Sequence, residues 1–295
     1  MALDRPIIIF GTGRSGTSVF HTLISQHPHV AWLTRAVNGS PVRPERGKRV
    51  MRALDVPGLE RITRSRYPPI EGYRFWDFHC PGFATSTRDL LASDVSERSR
   101  ARLLTALSAI PTVKRARVLL KVTGWPRLGF FKELFPDAKF VHVKRDGRAV
   151  ANSLLNIGFW KGWRGPGQWR WGDLTAEHRA EWEAHERSYV ALAAIQWKIH
   201  MGAVVDARAL IDNTDVYELA YEDLCEDPVD ICRKAIEFCD LDWTPGFERR
   251  VRRVPLANTN DKWRRDLTPR QQAILNDVLR ESLRRHGYAT EGDFV

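Results

Sequence analysis

The chain alternates short, fully apolar runs with longer stretches of helical period. Residues 6–10, PIIIF, read as a buried strand, and 17–26 as the helix that follows it. Residues 38–72 are rich in Gly, Pro and Arg and predict a long irregular loop or lid. DVSERSRARLLTALSAI (94–110) has helical period, opened by Ser96 or Asp94 as cap. RVLLKV (117–122) predicts a strand, LGFFKELF (128–135) a short helix stopped by Pro136, and KFVHVK (139–144) another strand leading into a helix from Gly147. A long helical pattern covers 177–205, VYELAY (216–221) is strand-like, and helices are expected at 228–239 and 269–286. Strands alternating with helices predict an α/β fold with a parallel sheet covered on both faces. No composition break divides the chain, so residues 1–295 are expected to form one domain.

Composition narrows the class. No apolar run approaches the roughly 20 residues that span a bilayer, and the run before Gly11 is too short for a signal peptide. A cytoplasmic protein is expected. Four cysteines make no disulfide framework. Cys225, Cys232 and Cys239, spaced by seven, share a helix face and read as core thiols, with no metal site. The formal net charge of +10 suits an anionic partner. The basic residues are dispersed and accompany no nucleic-acid module, so no nucleic acid is expected, and charge alone does not choose between an anionic surface and an anionic small molecule.

Candidate chemistry sits at the ends of the strands. GTGRSGTS (11–18) follows the first strand and opens the first helix, the setting of a phosphate loop. Gly13, Arg14, Ser15, Gly16, Thr17 and Ser18 offer backbone N–H groups and hydroxyls to a phosphate. The lysine of the usual nucleotide-triphosphate loop is replaced by Thr17, and the nearby cation is Arg14, inside the loop. FVHVKRDGRAVANSLL (140–155) puts Arg145 at a strand's carboxyl end and Ser153 eight residues on, able to converge on a second phosphate. LLKVTGWP (119–126) carries Lys121 at another strand end, and NTNDKWRRDLTP (258–269) carries Lys262, Arg264 and Arg265 beside Trp263. Taken singly, Lys121 reads more readily as an exposed lysine, and the 258–269 segment as a solvated basic turn before a helix.

Together these segments resemble sulfotransferases that use 3′-phosphoadenosine 5′-phosphosulfate (PAPS), in the bacterial form with an arginine in the phosphosulfate loop, similar to tyrosylprotein sulfotransferase-like enzymes. The resemblance runs from residue 6 to about 269. It implies a P-loop NTPase-like fold and sulfuryl transfer to a hydroxyl or amine, with release of adenosine 3′,5′-bisphosphate and no metal. It assigns GTGRSGTS to the 5′-phosphosulfate, Arg145 and Ser153 to the 3′-phosphate, Tyr221 to the adenine, and Lys262 to a loop closing over the nucleotide. PAPS has no β,γ-phosphates for a Walker lysine to grip. A cation within the loop can instead serve the bridging oxygen, which is the role expected of Arg14, with Lys121 on the sulfuryl group.

The family's bases do not transfer. The histidine that follows the lysine in cytosolic members is replaced here in KVTGWP, and AWLTRAV lacks the glutamate of the tyrosylprotein enzymes. PIEGYRFWDFHCPGF (69–83) supplies the alternatives Glu71, Asp77 and His79 among aromatics, with His79 preferred and Asp173 in reserve. FWKGWRGPGQWRWG (159–172) holds four tryptophans in a loop that can bind or gate an acceptor, anchor itself to the core, or contact protein or lipid. The acceptor itself, whether small molecule, glycan, lipid or peptide, is left open. An ATP-dependent small-molecule kinase with an atypical loop, or a non-catalytic nucleotide or polyanion binder, are the competing readings.

Overall fold

A computed structural model describes residues 3–290. Five parallel strands, β1 (Ile7–Phe10), β2 (Val30–Trp32), β3 (Arg117–Lys121), β4 (Lys139–Lys144) and β5 (Val216–Ala220), form one sheet in the order β2-β3-β1-β4-β5. Helices flank the sheet, so its inner strands are covered on both faces: all of Ile7–Phe10 and Arg117–Lys121 is buried. β1 lies between β3 and β4, with Ile9 beside Lys121 and Phe10 beside His142. The chain runs to one side of β1 and then crosses to the other, which makes the carboxyl end of β1 a switch point where a crevice opens. Because every strand runs the same way, the segments after Phe10, Lys121, Lys144 and Ala220 all emerge at that edge.

The predicted strands and most helices lie within a few residues of their expected bounds. Ser96 is the cap of Glu97–Ser108, accepting from the Ser99 N–H. Three expectations need correction. The 38–72 stretch is not an irregular lid: it takes in the end of helix Arg35–Gly39 and holds helices Glu45–Ala53 and Glu60–Arg66. Pro44 sits at the N-cap of Glu45–Ala53, where its fixed φ fits, and Val50 and Met51 are buried. The pattern over 177–205 is two helices, Ala176–Ala184 and Tyr189–Arg208. Glu186 and Arg187 take φ of 54° and 55° between them, and Ser188 caps the second helix. Of the cysteines, Cys232 and Cys239 are buried, and burial pushes both thiols up to about 12, but Cys225 is only half-buried. The strand β2, three residues at the sheet edge, was not expected at all.

A second apolar cluster joins the helices Gly147–Leu155, Tyr189–Arg208 and Pro269–Arg285 through residues such as Val150, Leu192, Trp197 and Leu279. It supports the helix that follows β4 and carries Ser153. No helix among the described residues is long and apolar enough to cross a membrane.

Candidate active site

The loop after β1 is shaped by two left-handed residues, Arg14 (φ 71°) and Gly16 (φ 89°). A Cβ on Gly16 would fall 2.2 Å from the Tyr221 ring, so only glycine allows the loop to pass there. Ser15 turns inward and bonds the Thr12 hydroxyl and, at 2.8 Å, the Thr12 carbonyl. It therefore ties the loop together instead of presenting its hydroxyl to a ligand. No side chain caps the helix Thr17–Ile24 that follows. Its first N–H groups remain available for an anion, with the positive end of the helix dipole behind them.

A cleft of 570 Å³ lies over this loop. Gly13, Arg14, Gly16, Thr17 and Ser18 line it together with Arg145, Ser153, Tyr221 and Lys262. The strand ends thus bring together residues far apart in sequence. Arg14 Nε donates to Ser153 Oγ at 2.9 Å, and Arg145 Nη1 donates to the Arg14 carbonyl at 3.0 Å. Arg145 also holds Asn260 and Thr259 at 2.8 and 2.9 Å, and its guanidinium stacks 4.4 Å from the Tyr221 ring centre. Tyr221 donates to the Ala257 carbonyl at 2.8 Å. Arg145 and Tyr221 therefore fasten the C-terminal segment 257–262 to the loop. Thr259 and Asn260 gave no sequence signal beyond lying in a basic segment, because their role is to orient Arg145.

Lys121, at the end of β3, is 6% exposed and donates to Ser18 Oγ at 2.6 Å. It also pairs with Glu71 Oε1 at 2.8 Å, where Thr123 Oγ1 donates at 3.3 Å. The Glu71 backbone is held just before the helix Tyr73–His79 by a bond from Trp76 Nε1 to its carbonyl at 3.0 Å.

The other two base candidates are not brought to the cleft. His79 lies on the inner face of its helix against Phe75 and Phe78, and its Nε2 meets the Pro41 carbonyl at 3.2 Å. Burial lowers its pKa. Asp77 accepts from the Ala84 N–H at 2.8 Å. Neither lines the cleft or the second cavity beside it. The helical turn after Gly72 sends them away from the side that Glu71 faces.

That second cavity, 350 Å³, is walled by Tyr73, Leu154, Phe159, Trp160, Trp169 and Trp171, with Arg127, Arg170 and Gln196 among its polar lining. Gly13, Glu71, Thr123 and Phe159 line both cavities. Glu71 therefore stands on the border between an anion cleft and an aromatic pocket.

The model of a family described as the sulfotransferase family matches residues 6–245. The chain belongs to that family. It is an enzyme, and it transfers a sulfuryl group from PAPS; the kinase and non-catalytic readings are set aside. The omega-hydroxy-beta-dihydromenaquinone-9 sulfotransferase Stf3 of Mycobacterium bovis is 25% identical, the alignment covering 97% of this chain and 76% of that protein. Among solved structures, sulfotransferase STF9 from Mycobacterium avium has a TM-score of 0.62 at 20% identity, covering 99% of this chain and 79% of the other. The sulfotransferase domain from the curacin biosynthetic pathway has a TM-score of 0.54 at 12% identity, covering 98% and 100%. Both share the fold. The family match stops before Thr259, Asn260 and Lys262, so the fastening of that segment to Arg145 is known from this structure's own contacts.

Proposed function

We propose that the enzyme sulfates the hydroxyl of an apolar small molecule or lipid held in the aromatic pocket, with Glu71 as the general base. The observation that carries this is the position of Glu71, which lines both the nucleotide cleft and the aromatic pocket. A relative named for a hydroxylated menaquinone supports an apolar acceptor.

The cleft fits PAPS by its uncapped helix N-terminus, its glycine-permitted close turn and its cations Arg14, Arg145 and Lys262. Bound PAPS supplies the sulfuryl group and the leaving phosphate. The helix N-terminus and the Ser18 hydroxyl hold the 5′ end. Arg145 and Ser153 serve the 3′-phosphate, Tyr221 the adenine, and Lys262 closes the open side. Arg14 contributes a permanent positive charge where the bridging oxygen takes up charge as its bond to sulfur breaks. Lys121 brings a second cation toward the transferring group. Lys121 and Thr123 both contact Glu71 Oε1, which leaves Oε2 to take the acceptor's proton as the new O–S bond forms. Four cysteines without disulfides support a cytoplasmic setting.

Radiolabelled PAPS offered with a panel of acceptors tests the reading. Hydrophobic alcohols and phenols should be sulfated with a higher kcat/KM than sugars or tyrosine peptides. A preference for sugars or peptides would sink the assignment of the pocket.

The 3′-phosphate role gives a second expectation. Adenosine 3′,5′-bisphosphate should bind more tightly than AMP. Arg145→Ala should weaken the bisphosphate about 10–100-fold, the worth of a charge-assisted hydrogen bond or more, and change AMP much less. Arg145→Lys should recover part, because it restores charge without the fork. Calorimetry that finds equal losses for both ligands would make Arg145 a fastener of the C-terminal segment only.

A further inference from the structure

The Trp-rich loop has two faces. Trp160 and Trp169 are buried, 4% and 2% exposed, and their indole N–H groups are satisfied by Gln196 Oε1 and the Gly172 carbonyl, both at 2.7 Å. They anchor the loop. Phe159 and Trp163, between those anchors or beside them, are 60% and 54% exposed. The backbone between the anchors is two short 3₁₀ turns, Gly162–Arg164 and Pro166–Gln168, which hold Trp163 outward.

Within the loop the charge has one sign. Lys161, Arg164 and Arg170 are exposed, and no Asp or Glu occurs between Asp146 and Asp173. Arg164 stacks 4.6 Å from the Trp163 ring centre. Exposed aromatic rings with cations beside them in the same loop match the boundary of an anionic bilayer, where indoles sit at headgroup level and Lys and Arg meet lipid phosphates.

We propose that residues 159–164 dock on a bilayer surface carrying anionic lipid. Phe159 lines both the aromatic pocket and the cleft, so the docked face adjoins the pocket mouth. Passage of an apolar acceptor from the bilayer into that pocket rests on the function proposed above; the docking itself does not.

Vesicle co-sedimentation tests it with the full chain. The protein should bind phosphatidylcholine vesicles that carry phosphatidylglycerol and not pure phosphatidylcholine. Lys161→Glu with Arg164→Glu should lower partitioning roughly twentyfold or more, at about one kcal/mol per charge near such a surface. Trp163→Ser should lower it roughly five- to tenfold by removing interfacial apolar area. Because the whole chain is basic, Arg98→Glu with Arg253→Glu, the same charge change on other exposed positions, serves as control and should lose far less. All of these variants should keep wild-type turnover on a water-soluble phenol, which separates loss of docking from failure of the enzyme reading. The proposal falls if neither vesicle binds or if the control pair loses as much as the loop pair. It also falls if Trp163→Ser abolishes self-association in sedimentation velocity and leaves vesicle binding unchanged, which would assign the loop to a second copy of the chain.

Discussion

Glu71→Gln should lower sulfation of a poorly acidic alcohol by about 10²–10⁴-fold, the usual contribution of a positioned base. Glutamine keeps an acceptor oxygen for Lys121 and Thr123, which contact Glu71 at 2.8 and 3.3 Å, so the pocket should stay assembled. PAPS affinity should change little. A phenol carrying an electron-withdrawing group ionises with less help, and its loss should be much smaller. His79→Ala and Asp77→Asn should leave the alcohol rate near wild type, because neither side chain lines the cleft or the pocket. His79→Ala should instead lower thermal stability, since the ring packs against Phe75 and Phe78. A Glu71→Gln enzyme with full activity on the alcohol would remove Glu71 from the reaction.

Arg14→Ala should cost about 10²–10³-fold in kcat, the typical loss of one electrostatic donor to developing charge. The effect should fall on kcat more than on PAPS binding, because charge accumulates on the bridging oxygen only as the bond breaks. Arg14→Lys should rescue partly. Arg14→Gly is the control for the backbone. It removes the strain of a φ of 71° without restoring charge, so it should be as inactive as Arg14→Ala while folding at least as well. A variant with unchanged kcat and a raised KM for PAPS would make Arg14 a binding residue.

Four of the five strands, the parallel sheet and the phosphate loop were legible in the sequence. Each rests on a local signal: continuous apolar runs for strands buried on both faces, glycine where a strand must turn sharply into a helix, and cations at strand ends. The reaction class came from the resemblance of the paired segments around Arg14 and Arg145 to a known family, since the residues alone offered only two anion sites. What local signals could not supply was direction. Glu71, Asp77 and His79 lie within nine residues, and the ordinary imidazole pKa made His79 the preferred base. Glu71, just before the helix Tyr73–His79, meets Lys121 at the carboxyl edge of the sheet, whereas the helix carries His79 to the Pro41 carbonyl. Helices in 38–72 escaped notice because Gly and Pro suggest loops, whereas here Pro44 sits at a helix start and the apolar face is earned only by packing. Thr259 and Asn260 become part of the site only by holding Arg145, 114 and 115 residues away in sequence. The sequence determined which chemistry the strand ends could bring; tertiary packing alone decided which carboxylate faces it, because a side chain's bearing depends on partners that are remote along the chain.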